Sequence, residues 1–179
     1  EDRDVALAAV MQCGEVLRFA SMKLRGDREI VLAALVRDGE VLQYAMKRPQ
    51  AEKPVVMAAV QQTGRALKFA SLAMQEDKDV LLVAVAQDGL ALEFGSPLMQ
   101  ANREVVLVAV AQNFNALQFA SSELLADKEY ILTVVAQYGD ALQYASTELL
   151  VDKTVVLAAV AQSGSALEHT SAELKADRE

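Results

Sequence analysis

Hydrophobic positions along the chain fall into two alternating patterns. The first is apolar on nearly every side, as in Val105-Val106-Leu107-Val108-Ala109-Val110 and Val55-Val56-Met57-Ala58-Ala59-Val60. The second is shorter and sparser, as in Ala116-Leu117-Gln118-Phe119-Ala120-Ser121. The β-branched run has the composition of a strand, but its length of about 11 residues up to a glycine predicts a buried helix. Gly14, Gly39, Gly64, Gly89, Gly139 and Gly164 are expected to close these helices as left-handed C-terminal caps. Each run is preceded by Asp, Glu or Asn, side chains that accept hydrogen bonds from the unpaired amides of a first helical turn. Pro54 falls where a first turn tolerates a missing amide. The sparser pattern carries a leucine in every copy and an aromatic two residues later, from Phe19 to Tyr144, with His169 in the last copy. It predicts a short second helix that breaks at serine, with Ser96-Pro97 in the form of a cap and first-turn proline. One further turn, such as Glu123-Leu124-Leu125, then leads into the next copy.

Both patterns recur at a fixed period. Copies start at Asp2, Asp27, Glu52, Asp77, Asn102, Asp127 and Asp152, giving seven 25-residue repeats without insertion or deletion. Asp177 opens an eighth copy and no initiating methionine is present, so the chain is expected to be a segment of a longer array. A single copy has too few large apolar side chains to offset the ordering of its backbone, and stacking on neighbours supplies the rest. The expected fold is an all-α solenoid of seven two-helix repeats, forming one array over residues 1–179.

The shared phrase, Asp-Lys/Arg-Glu-Val-Val-Leu-x-Ala-Val-x-Gln-x-Gly-x-Ala-Leu-x-Phe/Tyr-Ala-Ser, resembles the repeats of domain-of-unknown-function family 4116. The likeness runs along the whole chain, and the copies at Asn102, Asp127 and Asp152 carry it best. The second copy departs from it, with Met46 for the serine and Pro49 for the later leucine, so its second helix is expected to bend differently. A weaker likeness exists to leucine-rich variant repeats. Both resemblances imply a helical solenoid, and neither implies an activity, a cofactor or a functional residue.

Charge and chemistry narrow the function classes. The formal net charge of −8 argues against nucleic acid as the default partner. It is unevenly placed: residues 1–76 hold 11 basic and 10 acidic side chains, and residues 77–179 hold 6 and 15. A nucleic-acid-binding array is therefore the runner-up reading, favoured by Arg18, Lys23, Arg25, Arg28, Arg37, Lys47 and Arg48. With one cysteine there is no disulfide framework, and with one histidine no zinc set. Cys13 has no histidine near it in sequence and reads as a passive thiol, and His169 as a partly buried stand-in for phenylalanine. The glycines recur singly rather than as a phosphate-cradling loop. Pairs such as Asp127 and Glu129 recur in most copies, as cap and first-turn residues do. No catalytic residue, cofactor or metal is expected. Apolar runs fall far short of the ~20 residues that span a bilayer, and an intracellular location without membrane insertion is expected.

Two columns ask for an explanation. Gln12, Gln62, Gln87, Gln112, Gln137 and Gln162 share one position, with Arg37 in the second copy. Arg3, Arg28, Lys53, Lys78, Arg103, Lys128, Lys153 and Arg178 share another, where a cation opposes the helix dipole. The basic column is expected to pair with acids of the neighbouring repeat. Function is expected where copies differ along a shared edge, beside the glycine. There Leu90, Phe114 and Tyr138 form an apolar strip on a polar rim of Asn113, Asn115 and Asp140. These six residues are the predicted contact site for a protein partner or larger assembly.

Overall fold

The computed structural model describes residues 2–171, and among these there is no strand. Seven layers follow one another at the predicted period. The long helices are Arg3–Gln12, Arg28–Ala34, Lys53–Gln62, Lys78–Gln87, Arg103–Gln112, Lys128–Val135 and Lys153–Gln162. Aspartate or asparagine caps all but one of them: Asp27 Oδ1, for example, accepts from the amides of Glu29 and Ile30. Glu52 makes no such bond, and Pro54 fills the first turn of its helix. One helical face is enclosed, as Val55, Val56, Ala59 and Val60 show with no exposed surface. The spacing of these residues is that of a single side of a helix. Burial all round is not what the fold adopts, because Met57, Leu82 and Leu132 are half-buried and Leu107 and Leu157 exposed.

The second element is a 3-10 helix, in segments such as Gly64–Phe69, Gly89–Phe94 and Gly139–Tyr144. Its apolar residues lie three apart, Ala66 with Phe69 and Leu67 with Ala70. Three residues per turn place both pairs toward the core. A one-turn third element follows, α-helical at Pro97–Gln100 behind Ser96 and 3-10 at both Pro49–Ala51 and Leu149–Val151. The altered second copy thus bends as the sixth does, without needing Met46 or Pro49. Layers are joined through the backbone as well: Met46 N–H donates to the Arg25 carbonyl, and Ser121 N–H to that of Gln100.

The glycines are not left-handed caps. Among the described residues none has a positive φ. Five of the seven long helices end instead in an extended residue, such as Thr63 at φ −145° and ψ 103°, with its N–H bonded to the Ala59 carbonyl; the other two end in right-handed helical conformation at Leu35 and Ala136. Glycine is required there for space. A Cβ on Gly39 would lie 2.0 Å from the carbonyl oxygen of Ala59 in the next repeat, and one on Gly64 2.3 Å from that of Ala84.

The basic column is an inter-repeat ladder, as expected. Arg3 reaches Asp27 at 3.0 Å, Arg28 reaches Glu52 at 3.8 Å, and Lys53 reaches Asp77 and Asp79 at 2.9 and 2.8 Å. Lys78 lies 2.5 Å from Glu104, Lys128 lies 2.7 Å from Asp152, and Arg103 pairs with Asp127. Exposed pairs add little stability singly, but the cap carboxylates of Asp27, Asp77, Asp127 and Asp152 are tied to the preceding layer. The Arg3 guanidinium, with the Ile30 and Glu29 amides, holds the Asp27 carboxyl below the usual carboxylate range against the opposing effect of burial. Asp152 is lowered in the same way by Lys128. A carboxyl depressed by folding stabilises above its unfolded pKa of ~4 and loses that contribution as pH falls through the lower folded value. The thermal midpoint should therefore stay level from pH 7 to ~5 and drop below ~4. Asp27→Asn, which keeps the cap acceptor without the charge, should flatten part of that acid limb in a melting series.

Candidate functional site

Long helices end and 3-10 segments begin along one edge of the array, where each layer locks onto the next. Gly64 N–H donates to Gln87 Oε1 at 2.6 Å, Gly89 to Gln112 at 2.7 Å and Gly139 to Gln162 at 2.7 Å. These bonds account for three of the six glutamines in the column; Gln12, Gln62 and Gln137 make none of this kind among the described residues. Gly39 uses Thr63 Oγ1 instead, at 3.2 Å. Arg37 has no acceptor to offer Gly14, and its helix stops at Ala34.

The joint between the fifth and sixth repeats departs from this scheme. Phe114 takes the glycine position, where a Cβ has no room beneath a full-length neighbouring helix. The next helix ends at Val135 rather than continuing through Gln137, an early end shared with the second-repeat helix, which stops at Ala34 opposite Gly14. Tyr138 N–H and Gln137 N–H both fall on the Val134 carbonyl, at 2.9 and 3.0 Å. No bond joins Phe114 N–H to the Gln137 side chain. An open cavity of about 230 Å³ lies here, lined by Phe114, Gln137, Tyr138, Gly139, Asp140, Gln162 and Ser163. Phe114 and Tyr138 are half-buried, each with one side against the core.

Of the six residues predicted from sequence, the structure brings Phe114, Tyr138 and Asp140 together in this groove. Asp140 Oδ1 accepts from Ser163 Oγ at 3.1 Å and Ser165 Oγ at 2.6 Å, which leaves its second oxygen for the groove. Asn113 and Asn115 stand beside it with internal tasks. Asn113 caps the Asn115 amide, and Asn115 Oδ1 accepts from the Tyr144 hydroxyl at 2.7 Å. Leu90 is half-buried one layer away and does not line the groove. Sequence reasoning missed Gln137 and Gln162 as lining residues, although their shared column was the signal.

Tyr130 adds to the same joint. It stands in a column otherwise filled by valine or isoleucine, is almost fully enclosed, and its hydroxyl has no partner among the described residues. Burial pushes its phenol proton far above the ordinary tyrosine range. Elsewhere the groups weighed for chemistry are dispersed. Cys13 is exposed at a helix end, and His169 is half-buried at the end of Gly164–His169. The basic cluster is partly committed within the array: Arg25 Nε donates to the Tyr44 carbonyl at 2.5 Å, and Arg48 lies 3.1 Å from Glu52. Among the described residues no helix is long and apolar enough to cross a membrane.

No curated protein and no solved structure matches the chain. A family model matches residues 2–48, 53–100, 77–125 and 102–150, each match spanning two of the 25-residue layers described above. The seventh layer continues the same geometry beyond them. On these matches, the chain belongs to the family described as Domain of unknown function (DUF4116).

Proposed function

We propose that the array is a non-catalytic scaffold for protein–protein interaction, with its contact site on the turn edge at the joint between the fifth and sixth repeats. One observation carries this reading: Phe114, the shortened helix behind it and the half-buried Tyr138 all meet at one open groove. Columns shared by every copy are accounted for by stacking, whereas a joint that forgoes its glycine and its Gln bond is not. Aromatic side chains in a partly desolvated pocket are the usual anchors of protein interfaces. The polar rim of Asp140, Gln137 and Gln162 would orient a partner.

Phe114→Gly combined with Tyr138→Ser tests the site. The loss of half-buried aromatic area and the recovery of a backbone N–H bond from position 114 to the Gln137 side chain are opposed and of similar size. Stability should therefore change by no more than about 1 kcal/mol. Capture of the native partner in a quantitative pull-down should fall by about tenfold or more. Early unfolding would assign these side chains to the core. A stable double variant with full capture would place the contact elsewhere on the array.

A further inference from the structure

The 3-10 segments and the turn after them present a second face, in which charge is ordered along the array. Its exposed positions follow the glycine by four, eight and nine residues. In the first three repeats these hold Arg18, Lys23, Lys47, Arg48 and Lys68 and no acid. In repeats four to six they hold Glu93, Glu123 and Glu148 and no base. At the change of sign stand two leucines open to solvent, Leu72 at 76% and Leu98 at 74% exposure. Lys68 and Glu93, next to the boundary, are already paired with Glu40 and Arg65 at 3.2 and 3.7 Å. Farther out, Lys23, Lys47, Glu123 and Glu148 are exposed and engaged by no ion pair among the described residues. A basic arm, an apolar centre and an acidic arm thus lie in line.

From this order we infer that the face is self-complementary and docks a second copy of this chain in an antiparallel, two-fold dimer. An axis between repeats three and four brings Leu72 of one copy to Leu98 of the other. The same operation sets Lys47 opposite Glu123, and Lys23 opposite Glu148, each twice. A parallel arrangement would instead set lysine on lysine. Apolar contact at the centre with charge pairs outside is the usual anatomy of an interface, and a two-fold axis doubles every contact. The pairs lie toward the rim, so they govern orientation and association rate and are screened by salt. This face is separate from the groove at Phe114, so the inference does not rest on the proposed partner site.

The test is sedimentation analysis of the chain over a concentration series at low and high salt. The wild type should pass from monomer to dimer, more weakly as salt rises. Lys23→Glu with Lys47→Glu makes both arms acidic, and Glu123→Lys with Glu148→Lys makes both basic. Each double variant alone should lose self-association by about tenfold or more. An equimolar mixture of the two should recover it as a heterodimer. All four side chains are exposed, so melting curves recorded at concentrations where the wild type is monomeric should stay unchanged. Phe114→Gly with Tyr138→Ser should leave the dimer intact, which separates this face from the partner groove. A wild type that stays monomeric throughout, or charge variants that dimerise as the wild type does, would overturn the inference. Retention of a monomeric chain by a single-stranded oligonucleotide through Lys23 and Lys47 would do the same, assigning the basic arm to a polyanion.

Discussion

Gly89→Ala is expected to lower the unfolding free energy by about 2–3 kcal/mol, although the change adds only one methyl group. A Cβ on Gly89 meets the Ala109 carbonyl oxygen at 2.4 Å and Gln112 Oε1 at 2.9 Å. The first is backbone, so the relief available is to move the end of the helix Arg103–Gln112. At the Phe114 joint, where a side chain does occupy this position, the facing helix ends at Val135 and no glutamine bond forms, although the helix facing Gly14 also ends early, at Ala34. Gly89→Ala should therefore raise amide exchange over residues 110–113 as well as shift the denaturation midpoint. At Gly164 nothing among the described residues lies within 4 Å of a Cβ. Gly164→Ala should stay within about 0.5 kcal/mol of the parent. Equal effects at the two sites would refute close approach as the reason for glycine.

Leu92→Ala should cost about 3–4 kcal/mol, the largest effect expected of a single side chain. Leu92 has no exposed surface and sits at the middle of the array, enclosed by the layers on both sides. Leu167 holds the same position in the seventh repeat and is 39% exposed. Leu167→Ala should cost only about 1–2 kcal/mol, in proportion to its smaller buried area. Helix propensity and local sequence are closely matched at the two sites. The difference in their denaturation midpoints therefore measures what the neighbouring layers contribute. Equal costs would mean that each repeat encloses its own leucine, and that the layers are not interdependent.

The periodic features of this protein were legible because each is set locally or recurs identically. Capping aspartates such as Asp27 and Asp152, and the first-turn prolines Pro54 and Pro97, act within four residues of themselves, whereas the Ser96 hydroxyl makes no capping bond. The ladder from Arg3 to Lys128 was legible for another reason: a fixed period of 25 places each cation at a constant offset from the acids of the next copy. Leu90, Phe114 and Tyr138 stand on successive layers, as their spacing predicts, but residues on one edge need not share a groove. The opening at Phe114 arises from one lost close approach, and Leu90 stands a full layer away from it.

By itself, then, the sequence determined the repeat length, the helical class, the capped starts of the long helices and the column in which each side chain stands. These follow from periodicity and from hydrogen bonds that close within one turn. Tertiary structure alone decided why glycine holds its position, since the atom that excludes a Cβ on Gly39 is the Ala59 carbonyl, 20 residues away in sequence. It also decided the 3-10 form of the second segment, the groove at Phe114, and the face on which Lys23, Lys47, Glu123 and Glu148 come into line. Each of these depends on the distance between layers, and that distance is set by packed backbone rather than by any residue acting alone.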